Sequence, residues 1–523
     1  MTLIKKFATV ASGTLMSRVF GFVREVLMAA SLGTGPVSDA FNAAFRFPNT
    51  FRRFFAEGAF NAAFVPLFSK KITEDGKETA CQFAEEVFGV LFSLLLLLTI
   101  AMELSMPFLV RTVIAPGFTE DATKFNATVH FTAVMFPYLT CMSLASMMGG
   151  MLNALRRYFV AAVAPLFLNI ILIGVLAYAW IYKLDVWNIG LNLSWGVMAA
   201  GLLQLFLVAV ALRQNGIKIS FRFPYFGPNV RRLLMLAFPA AITGGVTQIN
   251  LLINTNIASS QSGAVSSLVY ADRLYQLPLG VIAIAVATVL LPELTRALRS
   301  KKRETAHDLQ NRSIELTLLL TLPASVAFLL LSTPIVSLLF ERGQFTSQST
   351  HRVAQLLELY GIGLPAFVLI KVFIPNFFAR EDTKTPMIFT CICVFINIGL
   401  ALTLFPILSA RGIVIAEISS GWVNTFLLCS ILVKRGHWKY DTQLIKRIIR
   451  LTIATLLSVM VLHYSINVLG FLSFALSPQA PLLLRAGSLA GIMFVVASIY
   501  FITYFIHDAH SFFLTLKKFK QRS

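Results

Sequence analysis

Long apolar segments separated by short polar linkers follow one another along the whole chain. A membrane-spanning α-helix needs about 20 mostly apolar residues, and fourteen segments meet this requirement when internal charges are tolerated in three of them. The apolar residues do not alternate with polar ones, which predicts helices and argues against a membrane β-barrel. The predicted spans 1 to 14 cover residues 7–32, 37–68, 82–110, 125–152, 157–182, 189–213, 230–259, 265–297, 312–339, 350–378, 386–408, 412–433, 445–469 and 481–507.

Composition supports a membrane protein. Of the 523 residues, 57% are hydrophobic and 13% are charged, whereas an ordinary soluble domain is about 25% charged. The linkers are too short for a soluble domain, and the chain has neither a G-x-x-x-x-G-K-[ST] loop nor an H-E-x-x-H motif. The five cysteines have no metal-ligand spacing. We therefore predict an all-α polytopic membrane protein that is not an enzyme and has no metal site or other cofactor.

Positive charge is concentrated on one side of the predicted membrane. The net charge is +20, and the chain contains 44 Lys and Arg residues. With a cytoplasmic N-terminus, and with charges at the ends of spans counted with the adjoining segments, thirty of them lie in inside segments, six in outside loops and eight within spans. An excess of Lys and Arg marks the cytoplasmic side, so we predict that both termini are cytoplasmic. The basic linkers predict contact with anionic membrane lipids and not with nucleic acid.

The second half of the chain repeats the first at an offset near 230 residues. "AASLGTGPVSDAFNAAFRFP" (29–48) corresponds to "SSQSGAVSSLVYADRLYQLP" (259–278), and weaker matches follow in the same order. Two copies of equal topology predict two six-helix lobes around a central cavity. The matched residues include Gly33 with Gly263, Pro48 with Pro278, Pro66 with Pro292 and Asn169 with Asn397.

The repeat divides the chain into three predicted parts. Residues 1–215 form an N-terminal lobe of spans 1 to 6, and residues 216–440 form a C-terminal lobe of spans 7 to 12. Residues 441–523 contain spans 13 and 14 and a basic cytoplasmic tail, which lie outside the repeat.

Eight basic residues lie inside predicted spans, where a charge at the bilayer centre costs about 2.5–3.5 kcal/mol. Five of them are in spans 1 and 2 with only three acids, so this region is net positive. Such charges line a wet cavity rather than face lipid, and the planar fork of arginine suits phosphate. We therefore predict a cationic cavity and a phosphorylated cargo. The basic residues are Arg18, Arg24, Arg46, Arg52, Arg53, Arg273, Lys371 and Arg485, and the acids are Glu25, Asp39 and Glu57.

Spacing places most polar residues of span 2 on one helix face. Successive helical residues are about 100° apart, which puts Arg52 beside that face, but Pro48 can shift the register. Periodicity therefore does not choose between Arg52 and Arg53 as the cargo contact. The face consists of Asp39, Asn42, Arg46, Asn49, Arg53 and Glu57.

The charges also have a structural interpretation. Arg24 or Arg53 can pair with Asp39 or Glu57 and only fix helix packing, because buried charges are usually paired. In the second lobe Asp272 and Arg273 are neighbours on span 8. We assign Asp39, Arg53, Glu57 and Asp272 to support or gating of the cavity.

At these residues the chain resembles a known family. "SRVFGFVREVLMA", "SDAFNAAFRFPNTFRRFFAEGAFNAAFVPLF" and "VYADRLYQLPLGV" resemble the bacterial lipid II flippases of the MurJ/MviN family, within the multidrug/oligosaccharidyl-lipid/polysaccharide exporter superfamily. The resemblance covers essentially the full length. It implies a monomer in the bacterial inner membrane that moves lipid II, the undecaprenyl-pyrophosphate-linked disaccharide-peptide, to the outer leaflet by alternating access for cell-wall synthesis.

The resemblance also implies roles for individual residues. Arginines of helices 1, 2 and 8 line the cavity in this family, and the matching positions are Arg18, Arg24, Arg52 and Arg273, with Asp39 on helix 2. The last two helices form a groove for the polyprenyl tail. Some members bind sodium through an acid on helix 7, but span 7 here offers asparagines and no acid. This difference argues against sodium coupling and leaves the membrane potential as a driving force.

Other functions remain as alternatives. A flippase for another polyprenyl-pyrophosphate glycan, such as an O-antigen unit, would use the same cationic cavity to bind its pyrophosphate. A cation-drug exporter predicts an acidic or aromatic cavity, whereas this one is net basic. A membrane scaffold predicts that the four arginines can be replaced together with no loss beyond stability.

Overall fold

The computed structural model describes residues 3–52, 59–300, 302–468, 474–477 and 479–505. Arg53 and Glu57, two of the predicted site residues, lie outside these ranges. The described residues form helices with short connections and include no strand, which confirms the predicted all-α class.

The helices follow one another from end to end of the described chain. A π-helical turn (Val110–Ile114) and a 3-10 helix (Pro116–Glu120) connect α5 to α6. The α-helices are α1 (Leu3–Leu32), α2 (Pro36–Arg52), α3 (Ala59–Glu74), α4 (Gly76–Leu104), α5 (Met106–Leu109), α6 (Ala122–Met135), α7 (Tyr138–Ala154), α8 (Tyr158–Val163), α9 (Leu166–Ile181), α10 (Val186–Gln214), α11 (Pro228–Ala258), α12 (Ala264–Arg299), α13 (Arg303–Phe340), α14 (Ser347–Phe378), α15 (Lys384–Leu408), α16 (Ala410–Lys434), α17 (Thr442–Val468) and α18 (Leu482–Phe505).

A helix, or two consecutive helices, occupies each of the fourteen predicted spans. Ser105 divides span 3 between α4 and α5. Spans 4 and 5 are each divided into two helices as well, and Pro137 and Pro165 stand at these divisions. Proline has no N–H to continue the hydrogen bonds of the preceding helix, which explains both breaks. Within the described ranges, nine helices or helix pairs are long and apolar enough to cross a bilayer. The total of fourteen crossings stays a prediction.

The chain packs into two compact units. Unit 1 consists of Met1–Ser266 and Arg342–Phe345, and unit 2 of Ser267–Glu341 and Thr346–Ser523. Helix α11 packs against α2 and α3 and so belongs to unit 1, although the predicted lobes divide before it. The units are defined by packing and the lobes by the repeat, so the lobe boundaries stay a prediction.

Each unit has its own hydrophobic core. In unit 1, Phe41 of α2, Phe131 of α6 and Leu193 of α10 are buried together. In unit 2, Phe373 of α14 packs with Trp438, which follows α16. In a bilayer, close packing of side chains rather than removal from water holds helices together, so these contacts fix the helices that carry the charged residues.

The turn between α1 and α2 depends on glycine. Gly33 has φ 58°, and a Cβ there would lie 2.3 Å from the carbonyl oxygen of Gln344. Gly343 has φ 57°, and its Cβ would lie 2.3 Å from the carbonyl oxygen of Ala30. The Gln344 N–H donates to that same Ala30 oxygen at 2.8 Å. Gly263, the repeat partner of Gly33, also has positive φ, 79°.

The two helices outside the repeat pack on α13. Arg447 Nη1 of α17 lies 2.6 Å from Glu315 Oε2, and the hydroxyl of Tyr504 on α18 donates to Glu315 Oε1. Near the start of α18, Arg485 Nη2 donates to Ser337 Oγ. Glu315, Arg447 and Tyr504 form what we call the α13 anchor, which attaches α17 and α18 to unit 2.

Candidate functional site

Asp39 is the centre of a buried polar cluster in the first turn of α2, where its side chain has 0% exposure. Its Oδ2 accepts hydrogen bonds from Lys124 Nζ at 2.8 Å and from Gly263 N at 2.6 Å. Its Oδ1 accepts from Ser266 N at 2.9 Å and from Ser266 Oγ at 2.7 Å. These four residues are the Asp39 cluster. Because each oxygen has two donors, Asp39 firmly connects α2 with α6 and the turn before α12.

Lys124 is a member of this cluster that sequence analysis missed. It counts there as an outside-loop residue one position before span 4, yet its side chain is 5% exposed. Its ammonium lies 4.0 Å from the centroid of the Phe118 ring. The only local signal is Asp121, whose Oδ1 accepts from Thr123 N and Lys124 N and marks the start of α6.

Arg24 is buried on α1 and is already paired. Its Nη2 donates to the carboxylate of Glu25, and both side chains are at most 10% exposed. Its Nη1 donates to Asn169 Oδ1 of α9 at 2.9 Å. Asn169 Nδ2 in turn donates to the carbonyl of Ser17 at 3.1 Å. The guanidinium therefore connects α1 to α9 while its charge is balanced by a neighbour on its own helix.

The other arginines of α1 and α2 are more accessible. Arg18 is exposed, and Arg52, the last residue of α2, is partly exposed. Arg52 Nε donates to Asn49 Oδ1 at 2.7 Å on its own helix. Arg46 Nη1 donates to Thr255 Oγ1 at 2.7 Å and links α2 to α11. Arg18 and Arg52 thus keep surface that a ligand can contact.

Arg273 belongs to unit 2, where it lies partly buried on α12. Its neighbour Asp272 accepts a hydrogen bond from Gln276 Nε2, one turn further along the helix. The Asp272 carboxylate is therefore held by the Gln276 amide, and it occupies the same turn of α12 as the Arg273 guanidinium.

An aromatic and acidic group lies close to this part of α12. The rings of Tyr275 and Tyr360 stack with centroids 4.4 Å apart. The Tyr360 hydroxyl donates to Glu417 Oε2 of α16 at 2.8 Å. Sequence analysis did not connect these residues, since they come from three helices with no common spacing.

The structure corrects one detail of the internal-pairing interpretation. That interpretation gave Arg24 or Arg53 with Asp39 or Glu57 as possible pairs, whereas Arg24 pairs with Glu25 and Asp39 pairs with Lys124. Helical spacing gives the face on which a charge lies but not the helix that packs against that face. The choice between Arg52 and Arg53 stays open, because Arg53 lies outside the described residues.

Long apolar helices that also carry buried charged residues define a polytopic α-helical membrane protein. The fold is shared with a solved structure titled as the inward-facing conformation of a multidrug resistance MATE family transporter of the MOP superfamily, with TM-score 0.68 and 16% identity over 82% of this chain and 97% of that chain. It also matches a solved structure titled lipid II flippase MurJ, inward closed conformation, with TM-score 0.78 and 25% identity over 95% of this chain and 99% of that chain.

Sequence comparisons identify the family. The family model described as lipid II flippase MurJ matches residues 28–487. The chain is 64% identical over 501 residues to the probable lipid II flippase MurJ of Rhizobium meliloti, covering 96% of this chain and 93% of the relative. It is 33% identical to the lipid II flippase MurJ of Burkholderia cenocepacia over 89% of this chain and 90% of the relative. The chain belongs to the lipid II flippase MurJ family.

Proposed function

We propose that this multi-pass inner-membrane protein moves lipid II from the inner to the outer leaflet of the bacterial cytoplasmic membrane, for peptidoglycan synthesis. The proposal rests on membership of the flippase family across residues 28–487. The arginines of α1 and α2 support it, because the planar fork of a guanidinium group is suited to a pyrophosphate. An ordinary structural bundle has no need for so many cations at this depth.

In this proposal the cargo pyrophosphate is bound by Arg18, Arg24, Arg52 and Arg273 in a cavity used by alternating access. Arg18 and Arg52 have accessible surface in unit 1, which supports a direct contact. Asp39 accepts two hydrogen bonds on each carboxylate oxygen, which favours support of the cavity over direct contact with the cargo. Arg53, Glu57 and Asp272 keep their proposed supporting or gating roles.

The positive-inside pattern supports cytoplasmic termini and puts the Asp39 cluster at the outer ends of the helices. On that topology the tight contacts at Gly33, Gly117 and Gly343 are also outer contacts. Their close packing supports a state in which the outer side of unit 1 is held together. The cargo then enters from the cytoplasmic side.

We also propose that the membrane potential, and not sodium, drives transport. Moving one charge across 100 mV is worth about 2.3 kcal/mol, and span 7 has no acid to hold sodium. The test is transport in proteoliposomes with an imposed potential, with and without sodium. A requirement for sodium at constant potential would contradict this part of the proposal.

Depletion of the protein in its native bacterium tests the function itself. Lipid II accessible in the outer leaflet is expected to fall while total lipid II rises. Complementation with Arg273→Ala is expected to fail although the variant reaches the membrane. Undiminished lipid II outside, in cells with no second flippase, would contradict the proposal.

A further inference from the structure

The contrast between the two buried ion pairs of unit 1 carries an inference about transport. In the Asp39 cluster both carboxylate oxygens are fully used. At Arg24 the guanidinium is only partly satisfied, because its buried Nε has no hydrogen-bond partner among the described residues. Buried polar groups are nearly always hydrogen-bonded, and an exception needs an explanation.

We relate the incomplete hydrogen bonding of Arg24 to the position of its partner, Glu25. Adjacent residues on a helix point about 100° apart and do not normally face each other. The pairing of Arg24 with Glu25 therefore requires both side chains to bend toward a common point, unlike an ion pair spaced by three or four residues. This pair balances a charge that is 8% exposed, whose other hydrogen-bond partner among the described residues is the neutral Asn169.

We propose that Glu25 is an exchangeable counter-ion of Arg24. Glu25 pairs with Arg24 in the cargo-free state and separates from it when a pyrophosphate binds to Arg24. The inference rests on the proposed function, in which Arg24 contacts the cargo. Asn169 keeps the guanidinium attached to α9 during the exchange. Glu25 is then a positioning residue that lowers the affinity for cargo and hastens its release.

The exchange has a physical reason. A free buried cation costs several kcal/mol after relaxation of its surroundings, so an empty site needs a counter-ion. An unopposed positive charge would bind the pyrophosphate equally tightly before and during transport. Such uniform binding lowers KM without raising kcat, and it slows release of the cargo. A carboxylate on the same helix supplies the counter-ion without leaving the protein.

The experiment measures binding of undecaprenyl pyrophosphate to the purified full-length protein and its Glu25→Gln and Glu25→Asp variants. Glu25→Gln is expected to lower Kd about tenfold, since a competing charge-assisted hydrogen bond is worth about 1.4 kcal/mol. Glu25→Asp keeps the charge with a shorter reach and is expected to lie between wild type and Glu25→Gln. In transport assays Glu25→Gln is expected to lower both KM and kcat.

A matched control is available in the same unit. Glu85 pairs with Arg222 Nε at 2.7 Å, and Glu85→Gln removes a carboxylate of similar reach away from α1. This control is expected to leave probe affinity unchanged. Unchanged or weaker binding by both Glu25 variants would overturn the inference, even if wild-type protein binds the probe. Failure of wild-type protein to bind the probe or transport lipid II would instead overturn the proposed function.

Discussion

Lys124 Nζ lies 2.8 Å from Asp39 Oδ2, and the two side chains are 5% and 0% exposed. This ion pair joins two helices whose residues are 85 positions apart in the chain. Both carboxylate oxygens of Asp39 are hydrogen-bonded in this cluster, and its support or gating role in the cavity stays a prediction.

Removing the charge of Asp39 is expected to destabilise unit 1 strongly. Asp39→Asn leaves the Lys124 ammonium buried without a counter-ion, which costs about 3–5 kcal/mol. Adding Lys124→Met is expected to recover part of the loss. Thermal unfolding in detergent measures both effects.

The surface pair of Lys70 and Glu74 provides the control, because it is more than half exposed with N and O 3.5 Å apart. Glu74→Gln is expected to change stability by less than about 1 kcal/mol. Equal losses from Asp39→Asn and Glu74→Gln would show that the Asp39 cluster does not stabilise the protein.

Gly33→Ala is expected to be more damaging than Gly76→Ala. Both residues have positive φ, which costs an alanine about 1–2 kcal/mol, but nothing lies within 4 Å of the Gly76 Cβ position. At Gly33 the new methyl group would meet the Gln344 carbonyl at 2.3 Å. Growth of a depleted strain complemented with each variant measures the difference, and equal complementation would refute the close approach.

The α13 anchor is expected to control the attachment of α17 and α18. Arg447→Gln and Tyr504→Phe each remove a donor to Glu315, at a cost of about 1–3 kcal/mol. Hydrogen exchange of α17 and α18 is expected to increase in both variants. Arg435→Gln breaks the exposed pair with Asp382 and is the control. Equal exchange in all three variants would contradict the role of the anchor.

Much of the fold follows from the apolar pattern, because a membrane helix needs a continuous apolar stretch whatever surrounds it. The divisions of spans 4 and 5 at Pro137 and Pro165 were missed because an apolar stretch containing proline still has the length of one span. Gly33 and Gly263 are matched by sequence alone, and both have positive φ.

The charged residues were found as a set, but their partners were not. Arg24 and Asn169 are 145 positions apart, and no local spacing relates them. Lys124 falls at a helix end, where a positive charge ordinarily indicates a loop. Its burial depends on a carboxylate of another helix, which only tertiary packing reveals.

Transport by the purified protein tests the central claim most directly. Proteoliposomes containing the wild-type chain and lipid II in one leaflet are expected to expose lipid II in the other leaflet when a membrane potential is applied. Arg24→Ala and Arg273→Ala are each expected to slow this appearance by about 10- to 100-fold, the loss of one or two charge-assisted contacts. Arg222→Ala removes the partner of Glu85 on α4 and is expected to retain the wild-type transport rate. Folded wild-type protein that moves no lipid II, or arginine variants that move it at the wild-type rate, would contradict the account.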